Sequence, residues 1–197
     1  MTYLDVFKMP KPKNVSGRTS SITNSFVNGI IPCIQPTEEE VKRILTILGM
    51  DKDTIRCAYC GKETTEWDHF RPLVKDKRPT GYISEINNLV PACGKCNQSK
   101  RNIDWKTWML SDAPLSPKTK KVADLEEKIK RLEEYEKQTT PIILDFESLV
   151  GKSLWEKHWQ NYNELYAKMK ESMDISNQIK TILKNKVNEP DFFSSIK

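Results

Sequence analysis

Four of the five cysteines fall as two CxxC pairs, Cys57/Cys60 and Cys93/Cys96. A CxxC turn aims both thiolates at one ion, and a tetrahedral soft-ligand ion takes four such sulfurs. Two pairs fill that shell with no open position, so the spacing predicts a structural zinc that staples the two ends of segment 61–92. Inside the staple lies "TEWDHFRPL", which carries Asp68 and His69 side by side. On an extended strand these neighbours point to opposite faces, so one can bind a hard cation while the other takes a different task. Asn97 follows Cys96 directly, at the start of a helix opened by "NQSKRN". Closing the staple brings that helix start towards the strand of Asp68, where a carboxylate and an amide oxygen can meet at one cation. Such oxygen ligands suit magnesium or manganese rather than zinc. His69 then remains as a base with a pKa near neutrality, the usual requirement for activating water.

The elements that must hold these residues are short and turn-rich from Asp51 to about Leu110. Residues 1–36 read as irregular, with "KMPKPK" and "SGRTSSITNS" supplying breaks. A helix starts at "PTEEEVKRILTILGMD": Thr37 and Glu40 form a capping box, Val41, Ile44, Leu45 and Leu48 make an apolar stripe, and Gly49 supplies the stop. "DAPLSPKTK" reads as a linker. "VADLEEKIKRLEEYEK" follows as a helix with Val122, Leu125, Ile129 and Leu132 on one side. "SLWEKHWQNYNELYAKMKESM" is another, and "SNQIKTILKNKVNEP" a last short one. Trp155, Trp159, Tyr162 and Tyr166 fall at helical spacing and read as core, and His158 as part of an amphipathic face. Cys33, between prolines in "IIPCIQP", reads as a small buried apolar residue. The organisation expected is an N-terminal arm with a capped helix (1–50), a zinc-stapled module (51–110) and a helical C-terminal region (111–197).

The order DH, then "NNLVP", then CxxCN with a lysine three residues on resembles the HNH, or ββα-metal, nucleases over about residues 55–108. The resemblance implies an α+β fold: two antiparallel strands and a helix around one catalytic divalent ion, pinned by a four-cysteine zinc and flanked by mainly helical segments. It implies Asp68 and Asn97 as ligands of the catalytic metal and His69 as general base. Asn88 would hold the histidine's loop through hydrogen bonds. The family's last histidine is here Asn97, and its mid-loop glycine pair is replaced by "KRPTGYISE". The substrate implied is double-stranded DNA, cut to leave 5′-phosphate and 3′-hydroxyl ends.

Basic residues crowd the same region: Arg71, Lys75, Lys77, Arg78, Lys95, Lys100, Arg101 and Lys106. Beside a phosphodiesterase centre they read as phosphate contacts, with Arg71, Lys95, Lys100 and Arg101 the nearest to the motif. The whole chain is only mildly basic, at a formal +5, so charge alone does not establish a polyanion partner. The long flanks resemble those of Type II restriction endonucleases, whose extra segments read sequence. Cutting both strands takes two nicking centres, so a homodimer is the simplest assembly, with a cognate DNA methyltransferase in the same system. A phage, homing or nicking HNH nuclease is the same-class alternative, and a zinc-stapled DNA-binding module without catalysis is the different-class one. No window reaches the roughly 18 apolar residues of a membrane span and no secretory pattern opens the chain, so cytoplasmic residence is expected.

Overall fold

The computed structural model describes Phe7 and residues 14–189 of the chain. The "KMPKPK" breaks lie outside those residues. After a single 3₁₀ turn (Val15–Arg18) come α1 (Thr19–Asn28) and α2 (Glu38–Ile47). The central block holds β1 (Glu66–His69), β2 (Val74–Lys75), β3 (Arg78–Pro79), a 3₁₀ turn (Ile86–Asn88) and β4 (Leu89–Ala92). The helices α3 (Gly94–Lys100) and α4 (Trp105–Met109) complete it. The rest is helical: α5 (Leu125–Gln138), α6 (Phe146–Val150) and α7 (Lys152–Val187). The fold is α+β. β1 and β4 pair antiparallel, with Asp68 opposite Val90 and His69 opposite Leu89, and α3 follows β4 directly. This is a ββα unit, with the β2–β3 hairpin hung between its strands.

The chain divides into two compact units, one of residues 24–151 and one of 1–23 with 152–197. In the first, Ile44 of α2 and Leu48 at its C-cap, Leu132 and Tyr135 of α5, and Trp105, Trp108 and Met109 of α4 enclose Tyr59, Phe70 and Val90. Phe70 stacks on Trp105 at 5.1 Å between centroids and meets Tyr135 edge-on at 5.0 Å. Tyr135 also donates to the carbonyls of Ile86 (3.2 Å) and Leu89 (3.1 Å), which fastens the turn leading into β4. The capping box of α2 is formed: the Glu40 amide donates to Thr37 Oγ1, and the Thr37 amide donates to Glu40 Oε2 at 2.7 Å.

In the second unit, Trp155, Trp159, Tyr162 and Tyr166 form a ladder of ring contacts at 5.4, 5.8 and 6.1 Å along α7. Trp159 and Tyr162 are buried, and the Tyr162 hydroxyl lies 2.8 Å from Thr23 Oγ1.

Four local expectations change. Residues 1–36 are not uniformly irregular, because Thr19, Ile22, Thr23, Phe26 and Val27 place a less exposed face at helical spacing on α1. "DAPLSPKTK" is a folded-back turn rather than a loose linker: Ser116 is fully buried and donates to the Ser111 carbonyl at 2.7 Å. The last two helices are one, α7, because neither Gly nor Pro interrupts residues 152–189 and Ser, Asp and Asn cost a helix only tenths of a kcal/mol. Cys33 is exposed, and its backbone bridges to Ser84. Among the described residues no helix is long and apolar enough to cross a membrane.

Candidate active site

The four cysteine sulfurs all lie within 4.8 Å of one another, and Cys60 Sγ is 3.7 Å from Cys93 Sγ. That is far beyond disulfide length. It matches the spacing of about 3.8 Å that bonds of ~2.3 Å to a tetrahedral ion impose. The first turn is set by backbone bonds from Gly61 to Cys57 and from Cys57 to Lys62, each 2.8 Å. Gly61 takes a φ of +71°, which a side chain would resist. The second pair opens α3, whose Cys96 and Asn97 amides both donate to the Cys93 carbonyl. The Ala58 amide donates to the Pro91 carbonyl of β4 at 2.8 Å, so the cluster is tied to the sheet as well as to the helix. Crowding splits the thiols: their mutual hydrogen bonds push Cys60 down and Cys57 up. A cation that accepts four sulfurs resolves that competition.

β1 turns Asp68 inward and His69 to the other face, as strand alternation requires. Asp68 Oδ2 accepts from the Tyr59 hydroxyl at 2.6 Å and from the Lys100 ammonium at 3.0 Å. Oδ1 carries no hydrogen bond among the described residues. Burial pushes the Asp68 carboxyl up, and the Lys100 charge with the Tyr59 hydrogen bond opposes that rise. The His69 ring places Nε2 2.8 Å from Ser84 Oγ, and Ser84 is itself held by its amide on the Pro32 carbonyl. Burial, with Lys100 second, lowers the imidazole to about 4 rather than leaving it near neutrality as expected, so the ring is neutral at neutral pH. Asn88 is fully buried. Its Oδ1 accepts from the Arg71 amide (2.8 Å) and its Nδ2 donates to the Arg71 carbonyl (3.1 Å), two residues past His69. Asn97 is half-buried in the first turn of α3, three residues before Lys100 and so on the same helix face.

The basic residues separate into two sets. Lys95 and Arg101 are exposed. Lys100 is not on the surface as expected: it is wholly buried, and its ammonium donates to the His69 carbonyl (2.8 Å) as well as pairing with Asp68. A cation with no exposed atom cannot contact phosphate in this arrangement, and the carboxylate is what draws it in. Arg71 is turned towards Glu136 (3.9 Å) and lies over the Phe70 ring, with 15% of its side chain exposed. Lys106 pairs with Glu133. Sequence reading missed Tyr59 and Ser84 as partners of the Asp-His pair, since only the fold brings them there.

The buried pair gives a stability prediction. Lys100→Met leaves Asp68 buried with its cation removed, and breaking one partner of such a pair costs on the order of 3–5 kcal/mol. A chemical denaturation curve checks it. An unchanged midpoint would mean that the ion pair contributes nothing to the fold.

Comparison with protein families matches residues 57–102 to the HNH endonuclease family model. Neither the curated proteins nor the solved structures gave a match to the chain. The matched span begins at Cys57, the first of the four clustered cysteines, contains β1, β4 and α3, and ends just past Lys100. Its strand pair, its following helix and its four-cysteine metal site together make residues 57–102 an HNH endonuclease domain.

Proposed function

We propose that the chain is a metal-dependent DNA endonuclease that hydrolyses phosphodiester bonds with water activated by His69. The observation that carries this reading is the β1 pair itself: a neutral imidazole and a half-engaged carboxylate on consecutive residues, held by separate partners. When Nε2–H is given to the Ser84 hydroxyl, Nδ1 keeps its lone pair and takes the proton from the attacking water. The water attacks phosphorus opposite the departing 3′ oxygen. Asn88 fixes the chain just beyond His69 and so holds the ring's backbone in register. Asp68, through Oδ1, and Asn97, through its amide oxygen, would hold magnesium or manganese. When bound, that cation supplies charge neutralisation at the phosphate and the leaving oxygen. Zinc is the ion proposed for Cys57, Cys60, Cys93 and Cys96, since four thiolates at tetrahedral spacing with no open position make a structural rather than a reactive site. Conversion of supercoiled plasmid in magnesium, and its loss in EDTA, tests the reading.

Much of the chain lies outside the matched segment, and this supports a dedicated sequence-reading enzyme of the Type II restriction kind. Such an enzyme acts as a homodimer on double-stranded DNA and pairs in its system with a cognate methyltransferase. Sequencing the ends of digested phage DNA separates this from a nicking, phage or homing nuclease: one short recurrent sequence at paired breaks supports restriction. The rival of another class, a DNA-binding module without catalysis, draws on one observation. Lys100 already supplies Asp68 with a positive partner.

Lys95 and Arg101 are the proposed phosphate contacts. Replacing both with alanine should lower the log–log salt slope of DNA affinity by roughly 2, about one per lost phosphate contact. An unchanged slope places them on an idle face.

A further inference from the structure

The proposed chemistry gives no task to Tyr59, which lies inside the first CxxC turn. Its side chain is fully buried, with the ring edge-on to Trp108 at 5.3 Å between centroids. Packing alone does not call for tyrosine here, because phenylalanine would fill the same space without burying a hydroxyl that must find a partner. The partner found is Asp68 Oδ2, at 2.6 Å, and it is the only polar contact of that hydroxyl among the described residues. The position of the ring is set by the metal turn, through Gly61 to Cys57, Cys57 to Lys62 and Ala58 to Pro91, all at 2.8 Å. Lys100 approaches the same oxygen from α3 at 3.0 Å. Two donors on one oxygen, from the two arms of the cysteine cluster, fix the rotation of the carboxylate and leave Oδ1 without a hydrogen bond among the described residues.

We infer that Tyr59 is a positioning residue that locks the Asp68 carboxylate for a divalent cation, so that closure of the four-cysteine site is linked to affinity at the catalytic one. The inference rests on the nuclease reading, in which Asp68 is a ligand of the catalytic cation. It adds the means by which a structural metal acts on that ligand across a single side chain.

The test is Tyr59→Phe, made both in the otherwise unchanged protein and in a His69→Ala background that cannot consume DNA. Manganese binding to the His69→Ala protein on duplex DNA, followed by electron paramagnetic resonance, should weaken about 10- to 100-fold with Tyr59→Phe, the range for loss of a partner that orients a metal ligand. Cleavage by Tyr59→Phe should need correspondingly more magnesium for half-maximal rate, while the rate at saturating magnesium falls much less. The four-cysteine metal content should stay at the wild-type level. In an Asp68→Asn background Tyr59→Phe should change manganese affinity no further, because the hydroxyl acts only through that carboxylate. Equal manganese affinity with and without the Tyr59 hydroxyl, in protein that retains its cysteine-bound metal, overturns the inference and leaves the nuclease reading standing. Failure of the His69→Ala parent to bind manganese at all overturns both.

Discussion

Cys96→Ser should leave the segment around the DH pair unable to fold cooperatively, with loss of the bound metal. Cys96 is buried against the core, and it shares the cluster with three sulfurs drawn from both ends of segment 61–92. The regular structure of that segment is confined to a four-residue strand pair, a two-residue hairpin and one 3₁₀ turn, so its core contacts depend on the staple to bring the ends together. Structural zinc contributes roughly 10–16 kcal/mol in small zinc domains, as much as the ~5–15 kcal/mol total stability of a typical domain. The damage should extend beyond the cluster, because Tyr59 and Lys100 reach Asp68 from its two arms. Elemental analysis should find one zinc per wild-type chain, and near-ultraviolet circular dichroism should show tertiary packing lost in the variant. A folded wild-type protein without zinc would contradict the assignment.

His69→Ala should cut DNA slower by a factor on the order of 10²–10⁴, the contribution of a positioned general base. Its fold, zinc content and DNA affinity should change little. The ring lies on the strand face away from the Tyr59–Asp68–Lys100 contacts, and among the described residues it makes one side-chain hydrogen bond, to Ser84. Asp68→Ala should also be inactive, by a different route: it removes the proposed ligand and leaves the buried Lys100 without its carboxylate. Excess manganese should restore part of the activity of Asp68→Ala and none of that of His69→Ala. Asn97→Asp and Asn97→His keep a ligand atom and should retain some activity.

What the sequence disclosed follows the range of the interactions involved. The CxxC turns and the capping box of α2 are set by residues three or four apart, and both appear where spacing puts them. The opposite facing of Asp68 and His69 follows from strand geometry and is equally local. α1 escaped notice because Ser, Thr and Asn dominate "TSSITNSFVN" and favour turns, although Ile22, Thr23, Phe26 and Val27 already traced a helical face. Lys100 was misplaced on the surface for a different reason. Nothing in its neighbours shows that a carboxylate 32 residues earlier, Asp68, draws its ammonium into the interior. Ser84 and Tyr59 likewise gain their roles from long-range backbone bonds, Ser84 to Pro32 and Tyr59's neighbour Ala58 to Pro91, which no spacing rule connects to the DH pair.

The most direct test is single-turnover cleavage of supercoiled plasmid by zinc-loaded wild-type and His69→Ala proteins, matched for fold and DNA affinity, in magnesium. The account predicts rapid nicking or linearisation by the wild type, none in EDTA, and a rate for His69→Ala lower by at least about 100-fold. Near wild-type cutting by folded His69→Ala, or no cutting by the wild type on any plasmid or phage DNA, would contradict it and favour a binding module built on the same zinc-stapled frame.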